Sequence, residues 1–492
     1  MTPSPTVPTR ALRAYLVVVS AGPAGLAATA TALAGGLRVV LLDAGSGPGG
    51  QFWRHPPQTA RDGIPTGDLH HDLATFAALT AALDAGTRSG QLRVGFQHDV
   101  WTVARDDDGF VAHAVDRRDP AHEAAVTARA PRLLLATGAY DRQLPFPGWD
   151  LPGVLTVGGL QALLKGGGVV AGQRVALGGT GPFLLPVAAA LARRGADVVL
   201  VAEAASPLAW ARQLPAVVRN AGKVAEGVEY AAALARHRVP VRSRTAIVAA
   251  HGDAQVEAVD VAPMDRHGRP DLSRARRLSV DIVGTGWGFV PQLDHFLTLG
   301  ADLRASEDGN SVVRTDAEQR TSVPGLYAAG EPCGVGGAAL ALREGQLAGE
   351  AVLADVGRPP ATSPRRLAQV RAIVARLDAF AVALRLAHPL PAGWLGWLRD
   401  DTVICRCEEV PFAAVRAAAD EAVAAPDHRQ IKQLTRAGMG WCQGRMCGPA
   451  VHGILGGDRV GQGGVAPTPY CQSERLVAVP VPLGTVAILD AE

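Results

Sequence analysis

Short apolar runs, glycine turns and Ala-rich helical stretches succeed one another along most of the chain. Residues 15–19 are a β-rich run that enters Ser20-Ala-Gly-Pro-Ala-Gly25, and an Ala-rich helix is expected from there to about Ala34. Residues 38–42 read as a second buried strand ending at Asp43. Strand, glycine turn, helix and strand together make a βαβ opening. Residues 99–116 predict a hairpin about Asp106-Asp-Asp-Gly109, because apolar runs flank a turn sequence. Residues 132–138 predict a strand ending in a small-residue turn, and Pro145, Pro147 and Pro152 then punctuate a connection.

The pattern then restarts. Residues 174–177 are a strand, Gly178-Gly-Thr-Gly-Pro-Phe183 a glycine turn, 184–194 a helix, and 197–201 a strand ending at Glu203. Two such units, each with an acid after its second strand, indicate a duplicated architecture and not a short solenoid repeat. Residues 281–290 lead back out of the second unit, and 325–337 form a further strand–turn–helix junction. Ser363-Pro364 starts a helix with Leu367, Val370, Val374, Leu377, Ala381 and Leu384 on one face. This helix reads as a connector to a cysteine-rich end.

At 492 residues the chain exceeds one core, so two to four domains are expected. Its 48 Lys and Arg nearly balance 46 Asp and Glu, which gives no indication of nucleic-acid or anionic-membrane binding. Residues 1–13 are Pro- and Thr-rich without an apolar core segment, and no run approaches a membrane span. No membrane insertion and a cytoplasmic location are the expectations. Clustered cysteines in a large cytosolic chain favour metal or cluster binding over disulfides.

The first loop, Gly22-Pro23-Ala24-Gly25, allows a tight turn and lets a pyrophosphate approach a helix N-terminus. Asp43 lies 21 residues beyond Gly22, where a carboxylate can accept from a ribose hydroxyl. Gly49-Gly50-Gln51 adds a glycine pair that lets the backbone pass a cofactor. With the later Gly330 junction, this loop points to FAD, against the alternative of a nucleotide-free strand–turn–helix. Ser20 departs from the fingerprint, and its Cβ is expected to crowd the turn. The second loop keeps Gly179 and Gly181 but has Leu184 for the third glycine. Glu203 at the ribose-reading position favours NAD over NADP. Another adenine nucleotide or an empty fold remains open there. The second unit has no Cys-x-x-Cys, which excludes thioredoxin-reductase-type dithiol chemistry.

Four of the six cysteines fall close together as Cys405-x-Cys407 and Cys442-x4-Cys447. They supply enough thiolate for one [2Fe–2S] cluster or one zinc, and free thiols are the remaining alternative. The flavin context favours the cluster, since zinc has no redox role and flavin beside iron–sulfur implies single-electron transfer to a partner. Residues 411–425 and 427–437 are expected to be helical, with both cysteine pairs on loops at helix ends. Cys333 and Cys471 read as packing residues, and the His70-His71 pair as a solvated helix face.

The chain resembles, over nearly its full length, the A or alpha subunits of opine oxidase and hydroxyproline dehydrogenase and the B-type subunit of hydrogen cyanide synthase. The resemblance rests on Gly22-Pro-Ala-Gly25, Gly49-Gly-Gln51, Ala136-Thr-Gly-Ala-Tyr-Asp-Arg142, Leu144-Pro-Phe-Pro-Gly148 and Gly179-Thr-Gly-Pro182. Gly286-Trp-Gly-Phe-Val-Pro291, Gly330-Glu-Pro-Cys-Gly-Val-Gly-Gly337 and the Cys-Arg-Cys-Glu / Cys-Gln-Gly-Arg-Met-Cys module complete it. The end module is similar to bacterioferritin-associated ferredoxin.

This resemblance implies an α/β chain with a glutathione-reductase-like pair of nested Rossmann-type FAD and NAD(P) domains and a small C-terminal helical [2Fe–2S] domain. The implied spans are 14–148 and 291–357 for the two parts of the FAD domain, and 149–290 for the nucleotide domain. A connector would fill 358–400, the cluster domain 401–457 and a tail 458–492. FAD would be held by Gly22, Pro23, Ala24, Gly25, Asp43, Gly50, Gln51, Thr137, Gly138, Gly330, Glu331 and Gly337. The NAD-type site would use Gly179, Gly181 and Glu203, and the cluster Cys405, Cys407, Cys442 and Cys447. Glu331 stands where the family usually has Asp, one methylene shorter. A D-amino-acid-oxidase-like flavoprotein is the implied partner, and an FAD-dependent amino-acid, imino-acid or opine dehydrogenase the implied assembly. The rival readings are a self-contained NADH-dependent reductase and a non-catalytic electron-transfer or assembly subunit.

Overall fold

A computed structural model describes residues 10–57, 69–119, 123–421, 427–456, 470 and 477–486. The first glycine loop springs from a five-stranded parallel sheet. Its order is Leu326–Ala328, Arg132–Leu135, Leu16–Val19, Val39–Asp43 and Leu92–Phe96. Successive side chains in a strand point to opposite faces, and here both faces are covered. Leu16, Val18, Val39, Leu41 and Leu134 pack against the helices Pro23–Ala34 and Ala338–Asp355. Val17, Val19, Val40, Leu42, Leu133 and Leu135 pack against a second, four-stranded sheet. That sheet runs Arg10–Arg13, Ala124–Ala130, Gly109–Asp116 and His98–Asp106. Burial on both faces explains why these strands read as continuous apolar runs.

The second unit repeats the plan. Its five-stranded parallel sheet has the order Val154–Thr156, Ile282–Gly286, Arg174–Gly179, Asp197–Glu203 and Val241–Ser243. Val157, Leu160, Val187 and Leu191, from helices Val157–Gly167 and Leu184–Arg193, cover one face. A three-stranded antiparallel sheet, Thr245–His251, Ala258–Pro263 and Arg276–Ser279, covers the other. The fold is α/β, with two nested Rossmann-type units.

The hairpin expected over 99–116 forms as His98–Asp106 and Gly109–Asp116. The connector helix runs Pro364–Ala387 from Ser363. At the cysteine end, the strands Val403–Cys405 and Val410–Pro411 pair, and helices Phe412–Asp420, His428–Thr435 and Gly448–Gly456 follow. The helix expected over 411–425 is therefore shorter within the described residues, and 422–426 lie outside them. Ile404, Val415, Ile431, Ala450 and Val451 share a core with Trp394 and Trp397 and with Phe146, Trp149 and Val283 of the second unit. The small module is thus welded to the nucleotide domain by a common apolar interior. No helix among the described residues is long and apolar enough to cross a membrane.

Two local expectations need correction. His70 and His71 precede the helix Leu73–Arg88 and do not lie on its solvated face. His70 Nε2 lies 2.6 Å from the Arg54 carbonyl and His71 Nε2 2.8 Å from the Tyr230 hydroxyl, so both tie the first unit's loop to neighbouring chain. Cys405 ends a strand and is not on a loop.

Candidate flavin, nucleotide and cluster sites

Helix Pro23–Ala34 begins at Gly22 with Pro23 at its first position and no side-chain cap. Its N-terminal amides are left for a ligand, as an anion at a helix N-terminus requires. By contrast, Thr156 caps helix Val157–Gly167 by accepting from Gly159 N at 2.7 Å. The turn before Gly22 is held from below: Ala21 N donates to Asp43 Oδ2 at 2.5 Å and Gly45 N to Asp43 Oδ1 at 2.6 Å. Ser20 sits in the left-handed region at φ 89°, and its Oγ accepts from Gly22 N at 3.3 Å. The crowding expected there falls instead on Gly25, where a Cβ would lie 1.8 Å from the Ser20 carbonyl oxygen. A Cβ on Gly50 would lie 2.8 Å from Gly22 Cα, so the two glycine loops touch backbone to backbone. A Cβ at either glycine would strike neighbouring main chain, so Gly25 and Gly50 let the two loops pack on each other beside the uncapped helix N-terminus.

The later loops close on the same place. Thr137 Oγ1 donates to the Gln292 carbonyl at 2.8 Å, and Gln292 N donates to the Gly138 carbonyl at 3.0 Å. Gly330, at φ 83°, donates its N–H to buried Glu344 at 2.7 Å, and a Cβ there would meet Ala24 Cβ at 3.3 Å. Glu331 turns back on its own loop and accepts from Gly336 N at 3.1 Å and Gly337 N at 3.0 Å, just before helix Ala338–Asp355. Burial lifts the Glu331 carboxyl to about 7 and Glu344 to about 8. Glu344 escaped the sequence reading because nothing local marks a helical Glu as buried.

In the second unit, Gly179 takes a positive φ of 151° against Gly286, and a Cβ would meet the Gly286 oxygen at 1.8 Å. Gly181 N donates to Glu203 Oε2 at 2.9 Å and Ala205 N to Glu203 Oε1 at 2.8 Å. Glu203 therefore grips its own glycine loop much as Asp43 does. His388 Nδ1 stands 3.6 Å from Glu203, and Trp210 Nε1 donates to His388 Nε2 at 3.2 Å. The connector helix and the 207–213 turn thus crowd the position expected to read a ribose.

The four cysteines of the end module come together. Cys405 and Cys447 are buried, Cys442 is half-buried and Cys407 is exposed. Their thiols interact in a chain, Cys405 with Cys447, Cys447 with Cys442, and Cys442 with Cys407. Among the described residues, no three His, Cys, Asp or Glu side chains are grouped around one metal position. The Cys447 thiol and the Gly438 and Glu408 amides draw Cys405 down to about 6. Cys447, with the Met446 and Gly444 amides, draws Cys442 down to about 5. Burial pushes Cys407 up, and donation to both neighbours pushes Cys447 up. Backbone amides aimed at sulfur in a four-thiol set suit an anionic thiolate cluster. Cys333 is buried, and its Sγ donates to Gln319 Oε1 at 3.7 Å, a packing position; Cys471 lies outside the described residues.

Comparison with known proteins follows the same division. Residues 14–352 match the pyridine nucleotide-disulphide oxidoreductase family. The chain belongs to that family. Residues 403–456 match the BFD-like [2Fe-2S] binding domain. The oxidoreductase is 34% identical over 442 residues to the A subunit of opine oxidase from Rhizobium meliloti, covering 88% of this chain and 90% of that one. It is 32% identical over 439 residues to the HcnB subunit of hydrogen cyanide synthase from Pseudomonas aeruginosa, with 88% and 90% covered. L-proline dehydrogenase from P. horikoshii shares its fold at TM-score 0.67 and 18% identity, over 97% of this chain and 80% of that one. The oxidoreductase is FAD-dependent and carries a [2Fe–2S] module.

Three residues that matter for this arrangement were not singled out from the sequence. Trp149 Nε1 donates to the Val403 carbonyl at 2.5 Å, and Trp397 Nε1 to the Pro145 carbonyl at 2.8 Å, pinning the module to the proline-rich connection. Arg445 pairs with Asp294 at 2.9 Å. A signal did exist for Arg445, since it is the only charged residue between Cys442 and Cys447.

Proposed function

We propose that the chain is the FAD- and [2Fe–2S]-bearing component of a heteromeric dehydrogenase acting on an amino acid, imino acid or opine. C–N oxidation takes place on a partner flavoprotein resembling D-amino-acid oxidase, and this chain relays the electrons to an acceptor. The observation that carries the reading is the rigid seam between cysteine module and flavin unit. The buried Arg445–Asp294 pair joins them directly, Trp149 of the nucleotide domain bonds the module at Val403, and Trp397 of the connector bonds the flavin unit at Pro145. The flavin supplies two-electron redox chemistry and the cluster single-electron transfer when bound, and the protein orients both. Support for the substrate class comes from the relatives in opine oxidase and hydrogen cyanide synthase.

The chain's own residues then have separable tasks. Gly22, Gly25 and Gly50 admit the pyrophosphate; Asp43 holds the loop that receives it; Thr137, Gly138, Gly330, Glu331 and Gly337 shape the remaining wall. Cys405, Cys407, Cys442 and Cys447 bind the cluster. The rival NADH-driven reductase is disfavoured by the connector's His388, 3.6 Å from Glu203 and held by Trp210, which has no counterpart beside Asp43 among the described residues. An anaerobic absorbance spectrum before and after NADH tests the choice. Flavin and cluster bands unmoved by NADH are expected; rapid bleaching on this chain alone would favour the reductase.

A further inference from the structure

Arg445 lies between two cluster cysteines, yet its side chain leaves their module. It is 9% exposed. Its Nη1 donates to the Cys442 carbonyl of its own loop at 3.3 Å. Its Nη2 donates to Asp294 Oδ1 at 2.9 Å and to the Ala478 carbonyl. The guanidinium carbon also stands 6.0 Å from the centre of the Tyr140 ring, at the outer limit of a cation–π contact.

Two of these partners, Asp294 and Tyr140, frame one turn. Tyr140 follows Gly138 by two residues, and Asp294 follows Gln292 by two. Gly138 and Gln292 are joined by the bond from Gln292 N, and Thr137 Oγ1 returns a second to the Gln292 carbonyl. The strands Ala139–Asp141 and Phe289–Pro291 pair beside them, with Tyr140 opposite Val290. One guanidinium therefore grips both sides of the turn that carries Thr137 and Gly138. Asp294 is 3% exposed, so water cannot substitute for the arginine if it withdraws.

We propose that Arg445 is a positioning residue that couples cluster loading to flavin binding. The cluster fixes the Cys442–Cys447 loop, the loop fixes Arg445, and Arg445 holds the Thr137–Gly138 turn in the form that accepts FAD. This rests on the proposed reading of that turn as flavin wall and of the four cysteines as cluster ligands. By linkage, FAD must strengthen cluster retention by the factor with which the cluster strengthens FAD binding.

The test is FAD titration, followed by flavin fluorescence quenching, into full-length deflavinated protein with its cluster intact or stripped by chelator. In the unsubstituted chain, stripping is expected to weaken FAD binding at least about fivefold, the low end of measured couplings. The double variant Arg445→Leu/Asp294→Leu strands no buried charge. With its cluster loaded, it is expected to bind FAD as weakly as the stripped chain, and stripping it is expected to change nothing further. Arg445→Lys keeps the charge without the planar fork and should fall between. Circular dichroism establishes that the variants are folded, and if the double variant fails to fold, the loaded-against-stripped comparison still decides. FAD affinity indifferent to the cluster, or a folded double variant with undiminished coupling, overturns the proposal. A chain that binds neither cofactor overturns the proposed function as well.

Discussion

Gly345→Ala is a one-methyl probe of how the flavin loop is supported. Helices Pro23–Ala34 and Ala338–Asp355 pack through small residues, and a Cβ on Gly345 would lie 2.1 Å from the Ala24 carbonyl oxygen and 2.8 Å from its carbon. An ordinary C···O approach is about 3.3 Å or more, so the helices must part by more than about 1 Å. Neither atom belongs to a side chain that can rotate away. Overpacking of this kind costs about 1–3 kcal/mol. The alanine returns up to about 1 kcal/mol of helix propensity, leaving about 0–2 kcal/mol, and because both contacts are to main chain the upper half of that range, about 1–2 kcal/mol, is expected. Ala24 sits in the first turn of the helix proposed to receive the pyrophosphate, so on that reading the displacement falls on FAD binding. Roughly a five- to thirtyfold rise in FAD Kd is expected, at 1.4 kcal/mol per factor of ten. Ultrafiltration with fluorescence of the released flavin measures it. Gly227→Ala is the control: it lies in helix Ala221–Arg236 with nothing within 4 Å of the new methyl, so unchanged FAD binding and a slightly raised melting temperature are expected. Wild-type FAD affinity in Gly345→Ala would refute the reasoning.

Other substitutions probe the seam and the buried acids. Trp397→Phe removes the N–H held by the Pro145 carbonyl and strands a buried acceptor, so a loss of about 1–3 kcal/mol is expected in thermal melting, and Trp397→Ala, which also opens a cavity, should cost more. Cys407→Ser and Cys447→Ser should each abolish the visible cluster bands and lower the iron content, while Cys333→Ser leaves both in place; an unchanged cluster in Cys447→Ser would count against the ligand assignment. Burial raises Glu344 from 4.5 to about 8. Between those values the folded chain keeps a proton that the unfolded chain has lost, so this group's contribution is full below about 4.5 and declines as pH rises toward about 8. Glu344→Gln should remove that decline, which amounts to roughly 5 kcal/mol between pH 4.5 and 8 at about 1.4 kcal/mol per pH unit, and equal pH profiles in urea melts would contradict the burial argument.

Much of this architecture is local and was therefore legible in the chain. Strands buried on both faces show as apolar runs such as Leu16–Val19 and the Val-Ala-Leu within Arg174–Gly179, and glycines follow where backbone packs on backbone. Gly25 and Gly179 meet main-chain oxygens that no side chain tolerates, so composition and conformation agree there. Four cysteines at short spacings mark a thiolate site, and the glycine loops of a flavin unit in the same chain favour a [2Fe–2S] cluster over zinc there. The cover sheets were less visible: Arg10–Arg13 and Ala124–Ala130 are short or alanine-rich, and their stability comes from pairing with one another.

Only the tertiary structure decided where charge and polarity point. Asp43 and Glu203 stand where an acid reads a ribose, but each carboxylate is turned onto its own loop amides, and the connector's His388 makes the second position distinct. The same holds for Glu344, whose helix carries it inside, and for Arg445, which leaves its module to meet an aspartate 151 positions away in sequence. Apolar patterning is written residue by residue because burial repeats with the period of the element. The partner of a buried charge is set by which elements meet, and no local period encodes that.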